Sequence, residues 1–318
     1  MAANWMRRTA LVVACASTVL LAACGSSTTE SAITPSRFIG FGDAINDVGQ
    51  NGASYTVNDG TINNWALYVA QQYGKTLTAS SKGGLNYAYG NARIAATPDA
   101  AGNATTPTLA AQIDSFLASG SALQNDDVLL LSAGTSDMIV ALSSVIDGSQ
   151  TPTQIEATAR TLGKQYADQI RRLTNAGAKH VVFTGTYDLG KSLWAIEKGK
   201  VDAASAASKA FNESLLIGVN DLGNVALYVD LTYYVNLLVF SPSGYSFTNV
   251  TTPVCTSVDP GPGIGIGAGQ INSALCTTAT LLPGASQNAY LFADKVYLTP
   301  SAYRQFGTYA YDKLKARW

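Results

Sequence analysis

Asp127-Val-Leu-Leu-Leu-Ser132 and His180-Val-Val-Phe-Thr184 are two short runs with no polar alternation, and a long amphipathic stretch lies between them. Continuous apolar runs of this length suit strands buried on both faces. The intervening stretch has Ile155, Ala159, Leu162, Tyr166, Ile170 and Leu173 at spacings of three and four, the period of a helix with one apolar face. Thr153 with Glu156 makes a capping-box pattern at its start, and Gly177 stands where a helix would stop. Strand, helix, strand is the unit of a parallel sheet. The rest of the chain repeats it. Arg37 to Asp43 is an apolar run ending in a turn, and Asn64 to Tyr73 is helical in pattern. Ala204 to Leu222 reads as a helix, Val225 to Val229 as a strand, and Pro300 to Lys313 as a closing helix with proline in its first turn. The expected fold is α/β, with a central parallel sheet and helices on both faces. Such sheets place ligands at the carboxyl ends of their strands, where Gly42-Asp43-Ala44, Gly134-Thr135-Ser136-Asp137 and Thr186-Tyr187-Asp188 fall.

The chain has 318 residues, 47% of them apolar and 13% charged, enough for a sizeable core. A net charge of −1 gives no basic excess to displace counterions, which argues against a nucleic-acid partner. Arg7 and Arg8 precede an apolar stretch from Thr9 to Ala23, too short for a comfortable membrane span. Met6 is an alternative start for this segment. Leu21-Ala22-Ala23-Cys24 resembles the lipobox of bacterial lipoproteins. That resemblance implies a signal peptide over residues 1–23, acylation of Cys24, and a lipid anchor in the cell envelope, on the outer membrane if the organism has one. Residues 24–36 read as a flexible tether to a domain over residues 37–318. Cys15 falls in the signal and Cys24 is the lipid site, so Cys255 and Cys276 remain as a pair. Export favours a disulfide between them, closing a loop worth roughly 3 kcal/mol in the chain-entropy model. No His or third Cys stands near them to suggest a metal.

Six segments, in order, resemble the blocks of the GDSL (SGNH) ester hydrolases, one of them Gly185-Thr-Tyr-Asp-Leu-Gly190, which resembles the stretch after the middle strand. Phe41-Gly-Asp-Ala-Ile-Asn-Asp-Val-Gly49 resembles FGDSxxDxG, and Asn86-Tyr-Ala-Tyr-Gly-Asn-Ala92 resembles NYAxGGA. Ser132-Ala-Gly-Thr-Ser-Asp137 resembles the block ending GxND. Tyr245 to Cys255 and Tyr290 to Thr299 resemble the outer-membrane esterase branch, which has YLFWDxVHPT at the second of these. The resemblance covers residues 37 to 318. It implies a three-layer α/β/α, flavodoxin-like fold and ester hydrolysis through an acyl-enzyme, with no cofactor.

That reaction needs a serine, a histidine base, an orienting aspartate and oxyanion donors. Carried over residue by residue, the inventory is depleted. Ala44 stands at the nucleophile, a methyl with no lone pair. Gly90 keeps the glycine oxyanion position, with its N–H expected to be available. Ser136 replaces the oxyanion asparagine. Asp294 is retained. Tyr297 replaces the base histidine, with its phenol expected to donate to Asp294; a phenol with a pKa of about 10 is a poor base near neutrality. The chain has one histidine, His180, so no displaced imidazole is hidden elsewhere. It begins a strand, at the wrong end of the sheet for the site, and reads as structural.

Other groups carry chemistry of their own. Ser132, Thr135 and Ser136 offer hydroxyls without an obvious base, and Lys295 beside Asp294 offers an amine. Asp43, Asp47 and Asp59 match no metal-loop spacing, and the first two are expected to hold the turn after the first strand. Gly261 to Gly269 superficially resembles a phosphate loop but follows no clear strand, and is expected to be a floppy surface excursion. The leading expectation is a lipid-tethered pseudoenzyme with a binding or scaffolding role, its ligand acyl- or acetyl-bearing. The alternatives are an active esterase or lipase with a rebuilt site, and an envelope component using the aromatics Tyr233, Tyr234 and Tyr245.

Overall fold

The computed structural model of the protein describes residues 31–318. Cys15, Cys24 and the expected signal lie outside the described residues. Four strands form one parallel sheet: β1 (Phe38–Gly42), β2 (Val128–Ser132), β3 (His180–Thr184) and β4 (Ala226–Tyr228), each beside its predecessor. Phe38, Val128 and His180 are in register, so the strands share one amino-terminal pole. On the outer edge of β1, Tyr87 N–H donates to the Gly40 carbonyl at 2.7 Å. The chain thus leaves β1 on one side, at residues 85–89, and returns on the other as β2. That reversal opens a crevice at the carboxyl end of β1.

The helices are α1 (Trp65–Gln72), α2 (Leu109–Ala118), α3 (Thr135–Ile146), α4 (Pro152–Asn175), α5 (Leu193–Glu197), α6 (Val201–Gly218), α7 (Leu231–Phe240) and α8 (Pro300–Arg317). They cover both faces of the sheet, in the three layers expected. Phe38 and Phe41 point to opposite faces, as an odd spacing in a strand requires. The Phe38 ring lies 5.7 Å from Tyr73 beyond α1, and the Phe41 ring 5.6 Å from Phe116 in α2.

The long helix begins earlier than the capping-box pattern at Thr153 and Glu156 suggests. Thr151 is the N-cap, its hydroxyl accepting from Gln154 N–H while the Gln154 side chain accepts from Thr151 N–H. Proline restrains the residue before it to extended backbone, so Thr151 becomes the cap and Pro152 the first helical residue. All six apolar positions of the pattern are buried, and Gly177 follows the helix with φ +109°. The end of the expected tether is not free either. Ala32 N–H donates to the Trp318 carbonyl at 3.0 Å, and Ile33 is buried.

Cys255 and Cys276 form a disulfide with Cα atoms 5.9 Å apart. It closes a segment whose short strands β5 (Val258–Asp259) and β6 (Gln270–Ile271) pair antiparallel. The glycine-rich stretch between them is packed rather than floppy. Ile264 and Ile266 are buried, the Gly263 carbonyl accepts from Asn91 Nδ2 at 3.0 Å, and a Cβ on Gly265 would lie 2.2 Å from the Ala100 carbonyl oxygen. Alternating isoleucines supply the anchors, which a glycine count overlooks. The aromatics Tyr233, Tyr234 and Tyr245 are mostly engaged: Tyr234 is buried and packs on Tyr245, Phe306 and Tyr309, leaving Tyr233 half exposed.

Candidate functional site

β1 ends at Gly42, which has φ +137°, and a Cβ there would sit 1.8 Å from the Ser132 carbonyl oxygen. Only glycine permits that approach, and it turns the chain toward the carboxyl end of β2. Asp43 follows, wholly buried. Its carboxylate accepts from Ile45 N–H at 3.2 Å, Thr135 N–H at 2.9 Å and Ser136 N–H at 3.4 Å. Asp47 accepts from Gly49 and Gln50 N–H at 2.9 and 2.8 Å. Both carboxylates therefore tie turns, as expected. Burial pushes Asp43 up to about 7 and Asp47 up to about 6, against the pull of these donors.

The five carried-over positions are all buried: Ala44, Gly90, Ser136, Asp294 and Tyr297. Ala44 is 1% exposed and presents its methyl where the family has a hydroxyl. The Gly90 N–H is not available as an oxyanion donor, because it donates to Asp47 Oδ2 at 2.8 Å. Nor is the space beside Gly90 open: a Cβ there would lie 1.9 Å from the ring of Tyr55. Ser136 Oγ has no hydrogen-bond partner among the described residues.

Asp294 and Tyr297 do not form the side-chain pair expected of them. Asp294 Oδ1 accepts from the backbone N–H groups of Val296 and Tyr297 at 2.8 and 2.7 Å, and Oδ2 from Ser273 N–H at 3.0 Å. The carboxylate does not bond the Tyr297 hydroxyl; it staples its own turn to the disulfide segment. Burial raises its pKa. The Tyr297 ring is wholly buried, 5.3 Å edge-on to the Tyr55 ring, and its hydroxyl has no partner among the described residues. Burial drives the Tyr297 pKa well above that of an ordinary phenol, further from use as a base.

Tyr55 and Asn91 are the residues that sequence reasoning missed. Asn91, in the left-handed region at φ 62°, donates from Nδ2 to Tyr55 Oη at 3.1 Å and to Gly263. These contacts hold the Tyr55 phenol over Gly90. A glycine in a family block signals that something packs closely there, but nothing in the sequence names a partner 35 positions away.

The remaining candidates are accounted for. Lys295 Nζ donates to Gln270 Oε1 at 2.6 Å and pairs with Glu197, so it is committed away from a hydroxyl nucleophile. Ser132 Oγ is buried and unpartnered. Asp59 is held by Thr61 and Gln287, apart from Asp43 and Asp47. Among the described residues no three His, Cys, Asp or Glu side chains converge to hold a metal. His180 sits at the amino end of β3 with its ring 4.9 Å from that of Trp318, and burial lowers its pKa. Cavities of 270 to 660 Å³ open elsewhere on the surface, and none is lined by any of the five carried-over positions.

Two curated proteins resemble about half of this chain each. A GDSL esterase/lipase of Arabidopsis thaliana is 30% identical over 163 residues, which cover 46% of this chain and 40% of that protein. Lipase 1 of Photorhabdus luminescens is 32% identical over 154 residues, covering 47% of this chain and 22% of that protein. The chain spans less than half the length of the curated relatives it matches. A family model described as GDSL-like Lipase/Acylhydrolase matches residues 38–309, nearly all of the described domain. With the parallel sheet and the ordered blocks, this shows that the chain belongs to the GDSL-like lipase/acylhydrolase family.

Proposed function

We propose that this protein is a GDSL-family pseudoenzyme: a lipid-anchored component of the bacterial cell envelope that keeps the hydrolase fold without serine-esterase chemistry. One observation carries the reading. The methyl of Ala44 and the partnerless phenol of Tyr297 stand where acyl transfer needs a nucleophile and a base, and both are shut off from solvent. Without an imidazole or an equivalent acceptor, the proton of an attacking hydroxyl has no place to go. The loss of the Gly90 N–H to Asp47 removes an oxyanion donor as well.

A scaffolding role fits this closure better than ligand binding. An acyl- or acetyl-bearing ligand placed beside Gly90 would meet the ring of Tyr55. The rebuilt-enzyme reading lacks an activated nucleophile, since the Ser132 and Ser136 hydroxyls have no hydrogen-bond partner among the described residues and Lys295 is engaged elsewhere. The lipid anchor is supported by Leu21 to Cys24 and by the tether-like composition that follows. Anchoring at the outer membrane belongs to the same proposal.

The test is incubation of the purified native chain with a fluorophosphonate probe and with short-chain aryl esters. The expected result is no adduct by mass spectrometry and no turnover above buffer. A stoichiometric adduct on any side chain would overturn the reading. Mass spectrometry of the membrane-extracted chain tests the anchor, with an acylated Cys24 at the amino terminus as the expected result and an unmodified Cys24 as the failing one.

A further inference from the structure

We infer that the pole at the amino ends of the strands is a membrane-apposed face that docks on anionic lipid, with the closed ancestral site pointing away from the bilayer. The inference rests on the lipid anchor proposed at Cys24. The described chain begins at this pole: Ser31 Oγ and Ala32 N–H both donate to the Trp318 carbonyl, and Tyr73 Oη donates to Ser31 Oγ. Six residues lie between Cys24 and Ser31, a span of seven steps along the chain. Fully extended they reach at most about 25 Å, so the anchor would hold this pole against the membrane. The 18 residues of α6 alone extend about 27 Å from the opposite pole toward it.

Four cations surround the point where the chain begins. Lys75 lies two residues beyond Tyr73. Lys179 precedes His180, whose ring packs on Trp318. Lys315 lies over the Tyr311 ring, which itself packs on Tyr73. Arg317 reaches the Gly223 carbonyl at the foot of β4. None of the four has a carboxylate partner among the described residues. Several carboxylates of the same pole are neutralised, Asp127 by Arg37, Asp114 by Arg172 and Asp221 by Arg171, leaving Asp126, Asp168 and Asp312. Complementing the helix macrodipole explains cations in the last turn of α8. It does not explain Lys75 and Lys179, which stand beyond the ends of their helices. Exposed apolar side chains accompany them, Leu117 on the last turn of α2 and Ile217, 71% exposed, on the last turn of α6. Cations beside exposed aliphatic groups are the composition of an interfacial surface, and an anionic leaflet attracts each Lys or Arg held near it.

The test uses the full chain in vesicles of phosphatidylcholine and phosphatidylglycerol at 70:30. A dye is placed at Ala176→Cys, at the end of α4 on this pole, or at Asp202→Cys, at the start of α6 on the other. Quenching by a headgroup-labelled lipid is expected to be several-fold stronger at position 176. That preference should vanish in the triple charge reversal Lys75→Glu, Lys179→Glu, Lys315→Glu while the protein stays membrane-bound. Equal quenching at both positions, or stronger quenching at 202, overturns the inference. If Cys24 carries no lipid, the anchor reading fails separately. The unacylated chain then decides the face, because binding to the anionic vesicles should weaken with salt. The effect should be at least on the order of 100-fold for the triple reversal, about five-fold per cation lost, with repulsion from the three added carboxylates on top. No binding to anionic vesicles at low salt sinks the proposed face as well.

Discussion

Two tyrosines of this protein, both wholly buried, should respond in opposite directions to loss of one oxygen atom. Tyr187 Oη donates to the Val296 carbonyl at 2.7 Å, whereas Tyr297 Oη has no partner among the described residues. In Tyr187→Phe a hydrogen bond is lost and a buried carbonyl is left alone, a cost of about 1–3 kcal/mol. In Tyr297→Phe the removed group is one whose desolvation is uncompensated, so the same range of about 1–3 kcal/mol should appear as a gain. The ring itself should not move. The backbone N–H of Tyr297 is held by Asp294, its carbonyl accepts from Ala293 N–H at 2.8 Å, and its ring lies against Tyr55. The pair of variants should therefore differ by roughly 2–6 kcal/mol, read from urea midpoints at unchanged m-value. In a domain of this size each kcal/mol is about 2–4 °C of melting temperature. If Tyr297→Phe destabilises as much as Tyr187→Phe, the Tyr297 hydroxyl has a working partner and the proposed closure of the site fails.

Three further outcomes follow from the same structure. The triple change Ala44→Ser, Ser136→Asn, Tyr297→His should fold yet show no aryl-ester hydrolysis, because Tyr55 still covers Gly90 and Asp47 still holds its N–H; activity from the triple alone would show that the cleft is open. Gly90→Ala should destabilise by several kcal/mol in thermal melts, since its Cβ would meet the Tyr55 ring at 1.9 Å, and a neutral effect would mean that Tyr55 does not occupy that space. Burial raises Asp43 to about 7, and Asp47 and Asp137 to about 6, above an unfolded value near 3.8, so the folded state binds more protons in between. Their contribution is fully present below about pH 4 and lost as pH rises through 6 to 7. The urea midpoint should accordingly fall between pH 5 and pH 8, and a midpoint that rises over that window contradicts the burial argument.

Much of the sheet was legible because its signals are local. A doubly buried strand must be apolar throughout, so Val128 to Ser132 and His180 to Thr184 announce themselves with no knowledge of their neighbours. The period of α4 likewise records which side meets the core. Its first residue was harder to place. Two threonines compete for the cap, and the proline between them decides by restricting Thr151. The glycine-rich segment misled for a related reason: composition reports backbone freedom, whereas Ile264, Ile266 and the Asn91 contact supply restraint from a distance.

For the site, the division is sharper. The identities at 44, 136 and 297, and the single histidine, are facts of covalent structure, and the proposed loss of nucleophile, asparagine donor and base rests on them together with the resemblance. Whether the vacated chemistry leaves an open cleft or a filled one depends on atoms that are neighbours only after folding. Tyr55 reaches Gly90 across 35 positions, Asp47 claims a glycine N–H 43 positions away, and Asp294 spends its oxygens on backbone donors, one of them 21 positions back. Side-chain chemistry is written residue by residue, but hydrogen-bond partners and occupied space are set by three-dimensional packing, so only the tertiary structure decided that Tyr55 fills the space beside Gly90 and that Asp47 takes its N–H.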